Sequence, residues 1–256
     1  MGTKAHGRIL FWEGASLWIL SALPGHEYPK THPHAHHAVQ VTIALTGRVE
    51  LEGESGRASG AALAVAPDSL HAFEGTGLVA HLFVAPEGKL GRQIALRLFS
   101  DGAIVSIPAR LLGDLPEQLK ATFENPRRTD DDLRALGRSL LARLAGEGVA
   151  AGAPDPRVAK SIAWVERRLD ASISLSDIAN FMGLSPGRAR HLFVLETGLP
   201  FRTFLLWSRL MRALELFAGG SSLTDAAHGA GFADSAHLSR TFRRMFGIAA
   251  DSLRVA

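Results

Sequence analysis

Histidines in the first third of the chain are the side chains best suited to bind a metal ion. Of the 11 histidines, eight lie there, and seven of them fall between positions 26 and 81: His26, His32, His34, His36, His37, His71 and His81. His34, His36 and Gln40 are separated by even numbers of residues, so on a β-strand their side chains point to one face. Imidazole nitrogens and an amide oxygen can together hold a divalent first-row metal. Side chains of these types on one face could therefore coordinate a metal, and the neighbouring histidines are either further ligands or solvated loop residues.

One pattern of residues occurs twice between positions 174 and 247, and it positions a second group of functional side chains. Equivalent positions lie 48 or 49 residues apart: 174–179 and 222–227, Gly183 and Gly231, Phe193 and Phe242, Gly198 and Gly247. Ser174 with Asp177, and Ser222 with Asp225, have the spacing of a helix capping box. The first glycine of each copy lies where a short helix must end and reverse, because glycine tolerates positive φ.

The second helix of each copy begins soon after this turn. In the first copy Ser185 suits the N-cap and Pro186 the first helical position, whereas Asp234 or Ser235 begins the helix in the second copy. Each copy is therefore predicted to be a helix-turn-helix. Such units are also found in purely structural roles, because any compact pair of helices needs the same caps.

Polar and basic residues occupy the predicted outer face of both second helices, since Leu192 with Phe193, or Leu238 with Phe242, suit the buried stripe. The outer residues are Gly187, Arg188, Arg190 and His191 in one copy and Ser235, His237, Ser239, Arg240, Arg243 and Arg244 in the other. Donors of this kind suit guanine edges and phosphates. The charge distribution agrees, because residues 155–256 carry a net charge of +4 and residues 1–154 a net charge of −1.

The C-terminal part of the chain resembles the DNA-binding domain of the AraC/XylS family of bacterial transcription regulators. The resemblance covers roughly residues 158–256 and is carried by SLSDIANFMGLSPGRARHLFVLETGLPFRTFLLWSRLMRAL and SLTDAAHGAGFADSAHLSRTFRRMFG. The second stretch is the more specific, because Gly231-Phe232 followed by 238–242 is the signature region of the family. The resemblance implies two helix-turn-helix units joined by a linker helix at about 200–217, with recognition helices that enter successive major grooves on one DNA face.

The resemblance also implies which residues contact bases. They are Gly187, Arg190 and His191, with Arg188 beside them, in the first unit and Ser235, Ala236, His237, Ser239 and Arg240 in the second. Gly187 and Ala236 offer bases little side chain, so specificity should depend on the arginines and histidines. Arg209 matches a family arginine that either holds the two halves together or contacts DNA. The usual proline and aromatic before the final arginine are replaced by Ala250 and Leu253.

The rest of the chain is predicted to form a sensor. Residues 1–90 contain short apolar runs separated by turn residues, which predicts a small antiparallel barrel or sandwich. Residues 91–145 carry leucines at helical spacing, and a linker at 146–156 separates them from the DNA-binding domain at 157–256. The stripe either packs on the chain's own barrel or forms a dimer interface; it contains Leu133, Leu136, Leu140, Leu141 and Leu144. The predicted fold class is α+β, with an N-terminal antiparallel β-barrel, a helical region and a C-terminal all-α domain.

Two stretches of the sensor resemble the cupin barrel. His34-Ala35-His36, then Gln40 and Gly47, are similar to its first motif, with Gln in place of the usual Glu. The stretch 67–71 is similar to the end of its second motif and implies His71 as the remaining ligand. The candidate metal site is therefore His34, His36, Gln40 and His71. Alternatively these side chains line a pocket without a metal, because glutamine has no charge to offset that of a cation.

Composition excludes several classes of protein. A chain of 256 residues, with 46% hydrophobic and 21% charged residues, is expected to form two soluble globular domains. It has no apolar run of membrane-spanning length and no secretory leader, which predicts a cytoplasmic protein that does not enter a membrane. The absence of cysteine excludes disulfides, thiol sensing and cysteine-based zinc fingers.

The predicted function is sequence-specific DNA binding and transcription regulation, controlled by a small molecule or a metal in the cupin domain. The expected partners are double-stranded DNA, a small-molecule effector, RNA polymerase and a second copy of the chain in a homodimer. No catalytic residue is assigned, and no cofactor beyond the candidate divalent metal. One alternative is a metal-dependent cupin enzyme with a DNA-binding tail, and another is an architectural DNA binder without effector control.

Overall fold

Two compact units make up the part of the chain that the structure describes. The computed structural model describes residues 5–23, 28, 30–146 and 152–255. The first unit contains the described residues of Met1–Pro86, Leu90–Ala151 and Phe242–Ala256, and the second contains those of Glu87–Lys89 and Gly152–Thr241. His26 and positions 147–151 of the predicted linker lie outside the described residues.

The strands of the first unit form two sheets. They are β1 (Ala5–Trp12), β2 (Ala15–Ala22), β3 (Val39–Ala44), β4 (Val49–Gly53), β5 (Gly56–Gly60), β6 (Ala62–Val65), β7 (His71–Gly75), β8 (Leu78–Val84), β9 (Ile104–Ser106) and β10 (Leu253–Val255). One sheet has the order β10-β1-β2-β8-β3-β6-β9 and the other the order β5-β4-β7. The described pairs are antiparallel, apart from the parallel pair β1 and β10. The antiparallel β architecture is therefore confirmed, with the ladder divided between two sheets instead of closing into one barrel.

The helices lie in two stretches of the described chain, 89–145 and 156–246. They are α1 (Lys89–Leu98), α2 (Ala109–Leu112), α3 (Leu115–Glu124), α4 (Asp130–Ala145), α5 (Pro156–Glu166), α6 (Leu175–Met182), α7 (Pro186–Thr197), α8 (Phe201–Ala218), α9 (Leu223–Gly229) and α10 (Ser235–Phe246), followed by a 3₁₀ turn at Ala250–Ser252. The predicted linker helix is α8. Helix α10 belongs to the second unit as far as Thr241 and to the first unit from Phe242 onward.

The leucine stripe of α4 is buried inside the first unit. Leu133, Leu140, Leu141 and Leu144 are fully buried in the same core cluster as strand residues such as Leu17. Each buried leucine contributes about 1.5–3 kcal/mol relative to an exposed one. Gly137 lets the helix approach the sheet, because a Cβ there would lie 2.7 Å from the ring of Trp12. Of the two interpretations of the stripe, the structure supports packing on the chain's own strands.

The helix caps explain why the duplicated sequence folds as two helix-turn-helix units. The backbone N–H of Asp177 donates to Ser174 Oγ, and that of Ser174 donates to Asp177 Oδ2 at 2.8 Å. In the second copy the N–H of Asp225 donates to Ser222 Oγ at 3.1 Å. Both turn glycines have positive φ, at 66° and 79°. These local bonds satisfy first-turn donors that have no partner inside a helix.

The second helices begin at the predicted positions. The hydroxyl of Ser185 forms no capping hydrogen bond, although the residue lies at the N-cap of α7. The next residue is Pro186, which has no N–H, so one fewer first-turn donor needs a partner. In α10 the cap is Asp234 and not Ser235, because the N–H of His237 donates to Asp234 Oδ1 at 2.6 Å.

Candidate nucleic-acid interface and sensor pocket

The outer face of α7 presents donors to solvent. Its predicted contact residues are all exposed: Gly187, Arg188, Arg190 and His191. On the opposite face Ala189 and Phe193 are fully buried. Burial of one face therefore fixes the helix and leaves three donor side chains on the other.

The predicted contact residues of α10 are less uniformly exposed. Ala236, Arg240, Arg243 and Arg244 are exposed, whereas Ser235, His237 and Ser239 are half-buried. The ring of His237 packs edge-on against Phe232, with their centroids 5.1 Å apart. Leu238 and Phe242 are buried on the opposite face. Arg240 is consequently the long, exposed donor among the residues predicted to read bases on this helix.

The basic side chains of both faces are available to an anion. Within the described residues, no ion pair involves Arg188, Arg190, Arg240, Arg243 or Arg244. A guanidinium that is not already paired can form bidentate bonds with guanine or with a phosphate. The two surfaces therefore have the donors that DNA recognition requires.

Arg209 on α8 is bound to backbone inside the second unit. Its Nε donates to the carbonyl oxygen of Leu169 at 2.9 Å, and one terminal nitrogen donates to that of Ala171 at 2.7 Å. A Cβ at Gly231 would lie 2.9 Å from Arg209 Nε, so the turn of the second helix-turn-helix packs on the same guanidinium. Arg209 thus links the segment before α6 to the turn after α9, which favours the structural role over DNA contact.

Replacing Arg209 with lysine should lower the free energy of unfolding by about 1–3 kcal/mol, because an ammonium cannot donate to both carbonyls in this geometry. Chemical denaturation measures the change. Arg212→Lys is the matched control on the same helix. Its side chain is exposed and pairs with Glu215 at 2.6 Å, so a change within about 0.5 kcal/mol is expected. Equal losses in both variants would contradict the structural role of Arg209.

The four predicted metal-site residues meet in the first unit. The ring nitrogens of His34, His36 and His71 that face one another lie within 4.8 Å. Gln40 Oε1 lies 2.8 Å from His36 Nε2 and 3.2 Å from His71 Nε2. All four side chains are buried.

These four residues do not lie on the elements that the spacing in the sequence predicted. Gln40 lies on β3 and His71 begins β7, but His34 and His36 precede β3 in a loop. His34 forms an isolated antiparallel bridge with His71, through backbone bonds of 2.9 Å in both directions. The expectation that both histidines lie on one strand is therefore wrong. The backbone bridge, and not strand alternation, places His34 beside the site.

Hydrogen bonds to backbone carbonyls fix the tautomers of two histidines. His34 Nδ1 lies 2.8 Å from the carbonyl oxygen of His32, and His71 Nδ1 lies 2.9 Å from that of Ser69. A carbonyl only accepts, so each Nδ1 carries the proton and each neutral ring has its lone pair on Nε2. The lone pair of His71 then faces Gln40 Oε1, another acceptor, across 3.2 Å. Convergence of acceptors, with Nδ1–H donating to backbone, is the usual arrangement of histidines that bind a metal.

A chain of polar side chains orients the amide of Gln40. Its Nε2 donates to Thr42 Oγ1 at 2.8 Å, and Thr42 Oγ1 lies 3.0 Å from His81 Nδ1. The other ring nitrogen of His81 lies 3.3 Å from the hydroxyl of Tyr28. Because the amide nitrogen is bound to Thr42, its oxygen faces the histidines. Thr42 and Tyr28 were not predicted from the sequence, although Thr42 has the same strand parity as Gln40.

Burial keeps the histidines of this region neutral. It lowers the pKa of His34 to about 4 and that of His81 to about 3. It also lowers the pKa values of His36 and His71. Neutral imidazole is the form that binds metals, so the four-residue set fits a divalent first-row ion.

A cavity of about 50 Å³ opens beside the histidine cluster. Strands and loops in the N-terminal part of the first unit supply most of its lining, which is Ala5, Trp18, Leu20, Tyr28, Thr31, His34, Gln40, Phe73, His81 and Phe83. Three residues near the C-terminus complete it: Phe246, Ile248 and Leu253. These side chains are mostly apolar, with a few polar groups that converge on one end, as in many small-molecule sites.

Comparisons with known proteins cover both units of the chain. A family model described as a helix-turn-helix domain matches residues 178–255. The transcriptional activator RhaS of Citrobacter koseri is 28% identical over 263 residues, which cover 95% of this chain and 94% of RhaS. The transcriptional activator NphR of a Rhodococcus species is 36% identical over 115 residues, covering 42% of this chain and 34% of NphR. Fatty-acid-bound ToxT from Vibrio cholerae has a TM-score of 0.55 at 12% identity, covering 92% of each chain.

The chain is similar to AraC-family transcription regulators, through the helix-turn-helix domain at residues 178–255 and through RhaS over nearly its whole length. The similarity to RhaS extends over nearly the whole of both chains and so includes the first unit, and the fold is that of ToxT. The relatives are named as transcriptional activators, which indicates a regulator and not an enzyme. Among the described helices, none is long and apolar enough to cross a membrane.

Proposed function

We propose that this chain is an AraC-family regulator that binds specific DNA sites through α7 and α10 and controls transcription in the bacterial cytoplasm in response to an effector in its first unit. The observation that carries the proposal is the pair of exposed donor faces. Arg190 and His191 lie on one and Arg240 on the other, each opposite a buried apolar face. Two helices in adjacent major grooves would read bases with these side chains.

The effector is proposed to bind in the cavity beside the histidines. The cavity combines apolar walls with polar groups from Gln40, His34 and His81. ToxT, which shares the fold, has been solved with a bound unsaturated fatty acid, and this supports a ligand in the corresponding unit. Effector binding would shift the population of DNA-competent molecules by its differential affinity for them.

A divalent first-row metal is proposed as part of the same site. His34, His36 and His71 would supply imidazole nitrogens and Gln40 its amide oxygen. A bound metal would add positive charge to a region whose described lining residues include no Asp, Glu, Lys or Arg. The enzyme alternative gains no support from this lining, because it offers no carboxylate for acid–base chemistry.

Regulation of transcription also implies RNA polymerase as a partner, and the family resemblance implies a homodimer. The leucine stripe of α4 is used inside the first unit. A homodimer would therefore use another surface.

Sequencing of genomic DNA fragments that the full chain retains tests the proposed function. We expect enrichment of a recurring sequence with two short conserved blocks, and release of the fragments by added salt, because phosphate contacts displace counterions. Recovery of fragments without any shared sequence would favour the architectural binder. Failure of the chain to retain any DNA, with or without a shared sequence, would contradict the proposal.

A further inference from the structure

The last residues of the chain form one wall of the cavity in the first unit. Phe246 ends α10, Ile248 follows it and Leu253 begins β10, and all three line the cavity. Leu253 is paired with Ala5 where β10 adds to the edge of the sheet. The cavity wall therefore contains the last residue of the second recognition helix and residues that follow it directly in the sequence.

The ring of Phe246 occupies an aromatic recess of the sensor. Its centroid lies 5.0 Å from that of Trp18, 5.5 Å from Phe83 and 5.8 Å from His36. These are ordinary separations for interacting aromatic rings. The recess thus already binds a benzyl group, supplied by the chain itself.

Close backbone contact holds this segment in place. The N–H of His32 donates to the carbonyl oxygen of Gly247 at 2.9 Å. Gly247 has a φ of 70°, and a Cβ there would lie 2.6 Å from His34 Nδ1 and closer still to the carbonyl oxygen of His32. Only glycine fits this position without moving the segment or the loop before β3.

The internal repeat shows that the contact is particular to the second copy. At the offset of 49 residues, Phe246 corresponds to Thr197 and Gly247 to Gly198. Thr197 uses its hydroxyl to bond the backbone of its own unit, donating to the carbonyl oxygen of Phe193 at 2.8 Å. Gly198 also has positive φ, 79°, but a Cβ there would meet nothing within 4 Å. The second copy therefore ends in a ring and a glycine that pack in the first unit. The first copy ends in a threonine that bonds to its own helix.

We infer that the recess takes an uncharged small molecule with an aryl ring in the metal-free protein, and that such a ligand binds by displacing the segment from Phe246 to Leu253. The cavity of about 50 Å³ is too small for a ring, since a cavity that holds benzene measures roughly 150 Å³. Most of the remaining wall belongs to strands paired on both sides, whereas β10 is an edge strand of three residues. The described lining residues include no carboxylate, lysine or arginine, so a buried charge on the ligand would have no partner there. The inference names the ligand class of the proposed effector site and rests on that proposal.

Toluene, the side-chain analogue of phenylalanine, tests the inference on the full chain after removal of metal. Gly247→Ala should loosen the segment, and Gly198→Ala introduces the same strain at the equivalent helix end without the clash. We expect toluene to bind Gly247→Ala at least about ten-fold more tightly than wild type, and Gly198→Ala within about two-fold of wild type, because only the first change removes a competitor from the recess. Hydrogen exchange of the peptide covering 246–253 should quicken in Gly247→Ala, and in wild type on addition of toluene.

Phe246→Ala provides a second variant that leaves the backbone unchanged. It should also bind toluene more tightly than wild type, since the probe replaces the deleted ring. Equal toluene affinity in all four proteins, or saturation of wild type without faster exchange of 246–253, would overturn the inference. Ligand-free DNA binding by the same preparations is scored separately, so failure of the inference is distinguishable from failure of the proposed function.

Discussion

His34→Ala should lower the affinity of the full chain for Zn²⁺ by at least about 100-fold, a larger effect than the 10–100-fold typical of groups that only support a ligand. The change removes one of three imidazoles whose facing nitrogens lie within 4.8 Å of one another. Competition with a chromophoric chelator measures the affinity, and metal analysis of the purified proteins gives the stoichiometry. The double variant His34→Ala/His36→Ala should purify without metal.

Two further variants make this prediction specific to the site. His32→Ala should retain wild-type affinity, because its side chain is exposed and only its backbone carbonyl supports His34. Gln40→Glu should bind Zn²⁺ more tightly, since a carboxylate adds the charge that an amide lacks. Equal metal content in wild type and the double variant would reject the site and leave the histidines as pocket-lining residues.

The pH dependence of metal binding follows from the buried histidines. Protons compete with a metal only below the pKa of the ligand. Burial lowers the pKa of His34 to about 4 and lowers those of His36 and His71. Zn²⁺ affinity should therefore fall less between about pH 7.5 and about pH 5.5 than it would for histidines with an ordinary pKa of about 6.5.

Arg240→Ala should weaken binding to the selected DNA site by about 10–100-fold while changing binding to random DNA much less. The reason is that Arg240 is exposed on the outer face of α10, where a bidentate contact with guanine discriminates by about 1–3 kcal/mol. Binding titrations on both DNAs measure the difference. The same loss on both would exclude a base contact for this side chain.

Arg244→Ala is the matched comparison on the same helix. Arg244 is exposed near the end of α10, away from the first turns that are predicted to read bases. Its loss should lower affinity for all sequences alike and reduce the slope of log affinity against log salt by about one. A selective loss on the specific site would assign base reading to Arg244.

The sequence predicted the DNA-binding half of the fold well, because its determinants are local. The capping box at Ser174, the N-cap at Ser222 and the glycines at the turns act within one or two helical turns and leave a direct pattern in the sequence. The linker helix, predicted at about 200–217, is Phe201–Ala218. Exposure of the α7 donors followed from the position of the buried stripe.

Contacts between distant residues were harder to predict. The four histidine-site residues meet as expected, but through a backbone bridge between His34 and His71 that pairs a loop with a strand. Periodicity showed that the α4 leucines share a face, yet not what covers it. The packing of Phe246 in an aromatic recess had one indication in the sequence. The equivalent position of the first copy holds Thr197, a polar residue, instead of an aromatic one.

The most direct test of the central claim, that α7 and α10 read DNA as a pair, is a hydroxyl-radical footprint on the selected site with wild type, Arg190→Ala and Arg240→Ala. Wild type should protect two patches on one face of the duplex, one helical turn or about 10 base pairs apart. Each variant should weaken the protection within one patch only, and the two variants should affect different patches. A single protected patch in wild type, or two variants that weaken protection at the same positions, would contradict the account.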